Sequence, residues 1–350
     1  MQSREILFDK IRKERPDIDD ADVIEQWIYY LQQLKGCRLL SAVAQDLDEE
    51  TWLDTRTIGI GGSDIAGIMG ESPWSSPRQI WLRKTGQFDD KDVSQSEAAR
   101  WGNVLETTIA TEWGKRNEKN WVHIPVTLQM EDAPWRIANV DGFVLSEDKK
   151  EIIGILEIKT TSTYNNNIWE NGPLPFYYIC QATWYCMITG LEAFDLVCLV
   201  GGQRLYGYHF PADTDLIKRM KEEGDKFWHI NVLRMVEPPA AAADIDAFKK
   251  AVIDEEAPVL VLEDDESDRL VESYIQIREK ISALESIKKE IYAQLYGIVG
   301  ASSEAMTKTH TIVVKQTQRR TCDLELLQTI FPEAYNQCVK FTVSKSLNIK

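Results

Sequence analysis

The stretch GILEIKTTS, residues 154–162, sets Glu157 and Lys159 two residues apart in an otherwise apolar run. Side chains alternate faces along a strand. Ile153, Ile155, Glu157 and Lys159 therefore share one face, and Gly154, Leu156 and Ile158 the other. The first face turns from apolar to charged as the strand ends, near the C-terminal edge of a sheet. Alone, the pair reads as a surface ion pair, worth little.

Three further residues change that weighing. Asp141, in NVDGFV, stands at the end of one strand or in the turn before the next, where it can face Glu157 across a hairpin. Asp-Gly by itself is only a turn signal. Glu106, in RWGNVLETTIATEW, lies on a helix whose geometry puts Gly102, Glu106 and Ile109 on one side. By itself it reads as a solvated glutamate. Gln181 makes an i, i+3, i+4, i+7 row with Trp184, Tyr185 and Ile188, which sets an amide on a packing face. By itself it reads as a buried amide with backbone partners. Brought together, three carboxylates, a lysine and an amide suit a hard divalent ion that takes oxygen ligands and retains waters, such as Mg²⁺. Such an ion acidifies water and neutralises phosphate charge, and an adjacent lysine can orient or deprotonate that water. This is the equipment for hydrolysing a phosphodiester without a covalent intermediate.

The elements that must position these residues follow from periodicity. Residues 1–50 read as two helices, with an acidic start and a closing Gly36 around DADVIEQWIYYLQQLKG. Gly59, Gly61 and Gly62 interrupt the chain, and Ser63-Asp64 can cap the next helix. SPRQIWLRKTGQ is helical, as is 97–114 with Trp101, Leu105, Ile109 and Trp113 at near-turn spacing. Three strands are expected around VHIPVTLQM, RIANVDGFVLS and EIIGILEIKT. A helix follows over PFYYICQATWYCMITG, with Pro175 near its start and Gly190 past its end. Then come a hairpin, FDLVCLVGG with RLYGYHFP, and a long amphipathic helix ended by Pro238-Pro239. The order places most strands in one mixed β-sheet flanked by helices, an α/β (α+β) core at residues 51–236. An acidic connector is expected at 237–267 and a helical extension at 268–350, ending in strand, helix and a short terminal strand. Within the extension an apolar stripe runs along one helix from Tyr274 to Ile298. It can pack on its own chain or on another copy.

Composition narrows the class. The hydrophobic fraction of 43% supports a real core, and eleven tryptophans and twelve tyrosines need burial or stacking. No apolar run reaches membrane-span length, and the charged start lacks the apolar segment of a signal peptide, so a cytoplasmic protein is expected. Six scattered cysteines without a Cys-x-x-Cys pair, and four histidines, give poor support for zinc or an iron–sulfur cluster. The net charge of −16 argues against coating nucleic acid through the overall field, while leaving room for a local site where metal ions supply the positive charge.

The series VDGFV…LEIKT resembles the Asp…Glu-x-Lys core of the PD-(D/E)xK nuclease superfamily. With IGGSDIAGIMGESPWSSPRQIWLRKTG, GNVLE and YYICQATWYCMITG, all in order over residues 52–200, the sequence resembles the YqaJ-like viral recombinases, relatives of phage lambda exonuclease. The resemblance implies a restriction-endonuclease-like core in which Asp141, Glu157 and the backbone carbonyl of Ile158 are metal ligands and Glu106 completes the acidic site. Lys159 would position the attacking water and Gln181 would hold the site's geometry. Arg56 and Ser63 would grip the 5′ phosphate of a DNA end, a chemistry that suits an arginine fork and a hydroxyl near a helix start. Val140 stands before the first Asp, where the family has proline or another residue and the proline is often absent. The implied activity is 5′-3′ exonucleolytic hydrolysis of double-stranded DNA ends, leaving a 3′ single strand for recombination by annealing. It would use Mg²⁺, with Mn²⁺ as a substitute and two ions per site. The resemblance further implies a ring-shaped trimer, a phage single-strand annealing protein as partner, and a phage or prophage origin in a bacterial cytoplasm. Other readings are an endonuclease or repair nuclease of the same superfamily, an inactive DNA-end-binding relative, and a structural phage protein. The last leaves the clustered carboxylates unexplained.

Overall fold

A computed structural model of the chain describes residues 2–43, 47–87, 97–250, 258–318, 321–340 and 349. The chain divides into two compact units, Met1–Asp246 and Ala247–Lys350.

The first unit opens with α1 (Arg4–Glu14), α2 (Ala21–Leu31) and β1 (Cys37–Ser41). Next are three short helices, α3 (Glu49–Thr57), α4 (Gly62–Ile68) and α5 (Pro77–Lys84), and the long α6 (Glu97–Asn117). Strands β2 (Asn120–Val122), β3 (Thr127–Met130), β4 (Ile137–Asn139), β5 (Gly142–Leu145) and β6 (Ile152–Thr161) follow. Helices α7 (Asn166–Asn171) and α8 (Phe176–Thr189) then lead to β7 (Ala193–Val200), β8 (Arg204–Pro211) and α9 (Thr214–Lys226).

Most of these strands lie in one mixed sheet, as expected, and the rest form a second, smaller one. A five-stranded mixed sheet has the order β2-β5-β6-β7-β8, with β6 and β7 parallel and the other pairs antiparallel. A three-stranded antiparallel sheet has the order β1-β3-β4. Two stretches that read as single strands are each cut and shared between the sheets. VHIPVTLQM breaks into β2 and β3 at Pro125, which has no N–H for a ladder. RIANVDGFVLS breaks into β4 and β5 at Val140-Asp141. The sequence also hides β1 behind the two N-terminal helices, and Leu7, Ile11, Ile24 and Ile28 of those helices join the same core as Trp184 and Phe194.

Strand β6 is the spine of the large sheet. Its alternation holds from Ile155 onward, but a bulge opposite Val144/Leu145 inserts one residue. Ile152 is therefore buried while Ile153 is 51% exposed, in place of the shared Ile153–Ile155 face expected from strict alternation. One face of the sheet is covered by α6, whose Ile109, Ala110 and Trp113 pack with Leu156, Ile158 and Val197. The other is covered by α8, which also touches β3, β4 and α4. The hairpin β7–β8 turns through Gly201 and Gly202, both at positive φ, as the sequence predicts. Beyond α9, Asp244 accepts a hydrogen bond from Ser76 Oγ at 2.6 Å and is fully buried, so the chain as far as Asp244 packs on α5.

The second unit is dominated by one helix, α10 (Asp265–Val299). A small hairpin of β9 (Glu304–Met306) and β10 (Thr311–Val313) follows, then α11 (Leu324–Ile330) and α12 (Pro332–Cys338). The terminal strand expected within 341–350 falls almost wholly outside the described residues. No helix among the described residues is long and apolar enough to cross a membrane.

Candidate active site

Strand β5 begins at Gly142, opposite Leu156, so β6 runs on past its neighbour. Glu157, Ile158 and Lys159 occupy that open edge while still paired to β7 on the other side. Asp141, the residue that links the two sheets, reaches into the gap: its Oδ2 accepts the Ile158 N–H at 2.8 Å. The N–H and C=O of one strand residue point to the same side. The Ile158 carbonyl is therefore directed toward Asp141, beyond the end of the β5 ladder.

Glu157 is completely buried. The Lys159 ammonium pairs with Glu157 Oε1 and lies 5.3 Å from the centre of the Tyr178 ring. Glu157 Oε2 has no hydrogen-bond partner among the described residues. Glu106 comes from α6, on the opposite face. Its Oε1 lies 3.9 Å from His123 Nδ1, and that nitrogen also contacts the Asp141 carbonyl at 2.8 Å. A carbonyl only accepts, so Nδ1 carries the proton.

The electrostatics follow from this convergence. Burial, followed by repulsion from Asp141 and Glu157, pushes the Glu106 carboxyl up to about 8, with Lys159 opposing. Burial, then Asp141, pushes Glu157 up to about 8, again against Lys159. Asp141 is raised by burial, with Lys159, the Ile158 N–H and His123 pulling the other way. Burial alone would lower the Lys159 ammonium, but Glu157 and Asp141 outweigh it and hold it above its ordinary value. Three acids thus share one cation.

The donors fit a hard divalent ion. They are all oxygen, Glu157 Oε2 lacks a hydrogen-bond partner among the described residues, and a divalent ion would favour the charged form of acids that now hold one another up. Among the described residues no three His, Cys, Asp or Glu side chains surround a point closely enough to hold an ion by side chains alone. Mg²⁺ does not need that; one or two carboxylates with further oxygens and waters are its usual complement.

A second cluster lies on α3, α4 and α5. Arg56 Nη2 donates to Ser63 Oγ at 2.9 Å, and the guanidinium stacks on Trp52 at 4.7 Å. Lys84 Nζ bridges the Arg56 carbonyl and Asp64 Oδ2, both at 2.7 Å, and Arg83 stands 3.6 Å from Asp64. Asp64 also accepts the Gly61 N–H at 3.0 Å, so it caps α4 from inside the first turn. Burial pushes the Asp64 carboxyl up, but Lys84, Arg83 and Arg56 overcome it and hold it at about 2.

Gln181 and Tyr185 join the two clusters. Gln181 Nε2 donates to the Tyr185 hydroxyl at 3.2 Å. The phenol is raised first by burial and then by Glu157 and Asp141, which places it beside the acids. On the other side a Cβ at Gly62 would lie 2.5 Å from Tyr185 Cε1 and 2.9 Å from Gln181 Cγ. Helix α4 can approach this closely only because Gly62 has no side chain.

The structure therefore gathers Glu106, Asp141, Glu157, Lys159 and the Ile158 main chain at one edge. It pairs Arg56 with Ser63 nearby and sets Gln181 between. His123, Tyr178 and the Asp64–Lys84 pair went unforeseen. A lone histidine between strands and single residues on ordinary helices carry no pattern; Tyr185 at i+4 from Gln181 was the one available clue. Cys37, Cys180, Cys186 and Cys198 are buried core residues whose thiols burial pushes up to about 12, which rules them out as ready nucleophiles.

The architecture is thus a helix-flanked mixed sheet carrying an acid–lysine cluster on its central strand. The YqaJ-like viral recombinase domain matches residues 51–192. YqaJ of Bacillus subtilis (strain 168) is 30% identical over 311 residues, covering 87% of this chain and 95% of that protein. The chain belongs to the YqaJ-like viral recombinase family, as its motif series implied. Two solved structures show a looser likeness. An alkaline exonuclease from Laribacter hongkongensis has a TM-score of 0.43 and 18% identity, over 51% of this chain and 90% of that one. A phage related exonuclease from Haemophilus somnus 129PT has a TM-score of 0.36 and 12% identity, over 53% and 100%. Likeness at that level adds nothing to the geometry.

Proposed function

We propose that the protein is a metal-dependent exonuclease that degrades duplex DNA from 5′ ends and leaves a 3′ single strand for recombination by annealing. The observation that carries this reading is the meeting of Glu106, Asp141, Glu157 and Lys159 at the open edge of β6. Asp141, Glu157 and the Ile158 carbonyl would hold Mg²⁺ or Mn²⁺, Glu106 would complete a site for two such ions, and the ions would supply positive charge against the scissile phosphate. The remaining tasks fall to the chain's own groups. Lys159, paired through Nζ with Glu157, would orient the attacking water. Gln181 and Tyr185 close the pocket wall toward α4. The Arg56 fork and Ser63 hydroxyl bind the terminal 5′ phosphate by charge-assisted hydrogen bonds. A ring-shaped trimer and a phage single-strand annealing protein belong to this reading as its assembly and its partner, in the cytoplasm of a bacterial host.

The test uses linear duplex labelled at either end, beside a closed circle, with and without Mg²⁺. The expected result is mononucleotide release from 5′-labelled strands only with metal, and none from Glu157→Gln. Cleavage of the circle would make the protein an endonuclease. Binding of ends without hydrolysis in any metal would make it an end-binding relative.

A further inference from the structure

Helix α10 carries an apolar seam that is largely exposed among the described residues. Ile277, Ile281, Leu284 and Ile291 are between 51% and 65% exposed, on a helix of 35 residues. A continuous apolar surface of this kind marks an interaction site.

The spacing is that of a coiled coil. With Ile281 as a and Leu284 as d, the d positions are Leu270, Ile277, Leu284, Ile291 and Ile298. The a positions are Tyr274, Ile281, Lys288 and Leu295. A helix that only needs to lie on a globular body drifts away from a strict seven-residue repeat. Keeping the repeat over four heptads, roughly 40 Å of helix, is what a supercoiling partner requires.

The flanking charges identify the occupant. In a parallel, in-register pair, each g position faces the next e position of the other helix, five residues on. Lys280 at g then meets Glu285 at e, and symmetry makes the same pair twice. The other g–e pairs along the seam, Ser273 with Arg278, Ile287 with Tyr292 and Gln294 with Val299, set no like charges together. Lys288 is the one charged a position, and in register it lies beside Lys288 of the other copy. A single such residue costs stability but fixes register, because slipping the helices buries it against apolar neighbours. We infer that α10 pairs with the same helix of a second copy of this chain, parallel and in register. The inference stands apart from the nuclease reading and from its ring-shaped trimer: it concerns a contact made by α10 alone.

The test uses the full chain with Leu284→Cys under mild oxidation, followed by peptide mass spectrometry. Equivalent d positions meet only in a parallel, in-register pair, so a disulfide joining position 284 of two copies is expected. Lys280→Glu in that background, which faces Glu285 with a like charge, should lower the cross-linked yield roughly tenfold at limiting concentration. Adding Glu285→Lys should restore it. Absence of the 284–284 link would overturn the inference. So would a yield indifferent to charge reversal, as expected if a different protein covers the seam.

Discussion

Glu157→Gln should make the metal-free protein more stable while ending cleavage. The Glu157 carboxyl stands at about 8 in the fold against an ordinary 4.5. The folded chain therefore holds a proton that the unfolded chain releases, and stability falls as pH rises between those two values. The cost is negligible below about pH 4.5 and grows by about 1.4 kcal/mol per pH unit. It reaches about 3 kcal/mol at pH 7 and about 4 kcal/mol at pH 8. Glutamine has the shape of the protonated acid and avoids this cost. The pull of Lys159 is already contained in the value of about 8, since that ammonium stays charged throughout this range. Thermal melts of chelator-treated protein at pH 5, 6, 7 and 8 read the effect directly. For a unit this size each kcal/mol moves Tm by about 2–4 °C, so the variant should melt about 6–12 °C higher at pH 7 and nearly level with wild type at pH 5. Mg²⁺ at pH 8 should raise the wild-type Tm and leave the variant unmoved. A variant no more stable than wild type at pH 8, or a difference flat from pH 5 to 8, would refute the picture of repelling buried acids.

Other substitutions separate the remaining roles. Lys159→Ala should lower the single-turnover cleavage rate by about 100-fold or more while end binding measured in Ca²⁺ changes little, because Nζ orients rather than holds. Equal losses in both would assign it to binding. Arg56→Ala should cost about 10- to 100-fold in kcat/KM on 5′-phosphorylated duplex. On 5′-hydroxyl duplex it should cost far less, and equal losses on both would remove Arg56 from the phosphate. Gly62→Ala drives a methyl into Tyr185 and Gln181 and should cost about 1–3 kcal/mol in urea melts together with activity. A fully active, fully stable variant would show that α4 can back away.

The sequence was legible where the physics is local. Glu157 and Lys159 declare themselves because side chains alternate over a run of apolar residues, and Gln181 because a helix has a fixed period. The bulge that turns Ile153 outward was illegible, since a single extra residue leaves composition and alternation almost intact. The division of strands between two sheets was hidden for a related reason. Both halves of RIANVDGFVLS are apolar and extended, and only pairing partners far away in the chain decide that β4 joins β3 and β5 joins β6. That break is what frees Asp141 to cross to the Ile158 N–H. The seam on α10 was visible as a period, but a period does not name what covers it.

The charge distribution bears on how such an acidic protein meets DNA at all. With a net charge of −16 the overall field repels a duplex. The β6 edge sets three acids against Lys159, whereas the α3–α5 cluster sets Arg56, Arg83 and Lys84 against Asp64 alone. On the proposed reading a terminal phosphate would meet these few cations beside the acidic β6 edge. Few counterions can be released on binding. The log–log dependence of end affinity on monovalent salt, at fixed Ca²⁺, should then have a slope no steeper than about −3. Fluorescence anisotropy on a short 5′-phosphorylated duplex across a salt series measures it. A slope twice as steep would mean that cations beyond Arg56, Arg83 and Lys84 also contact the DNA.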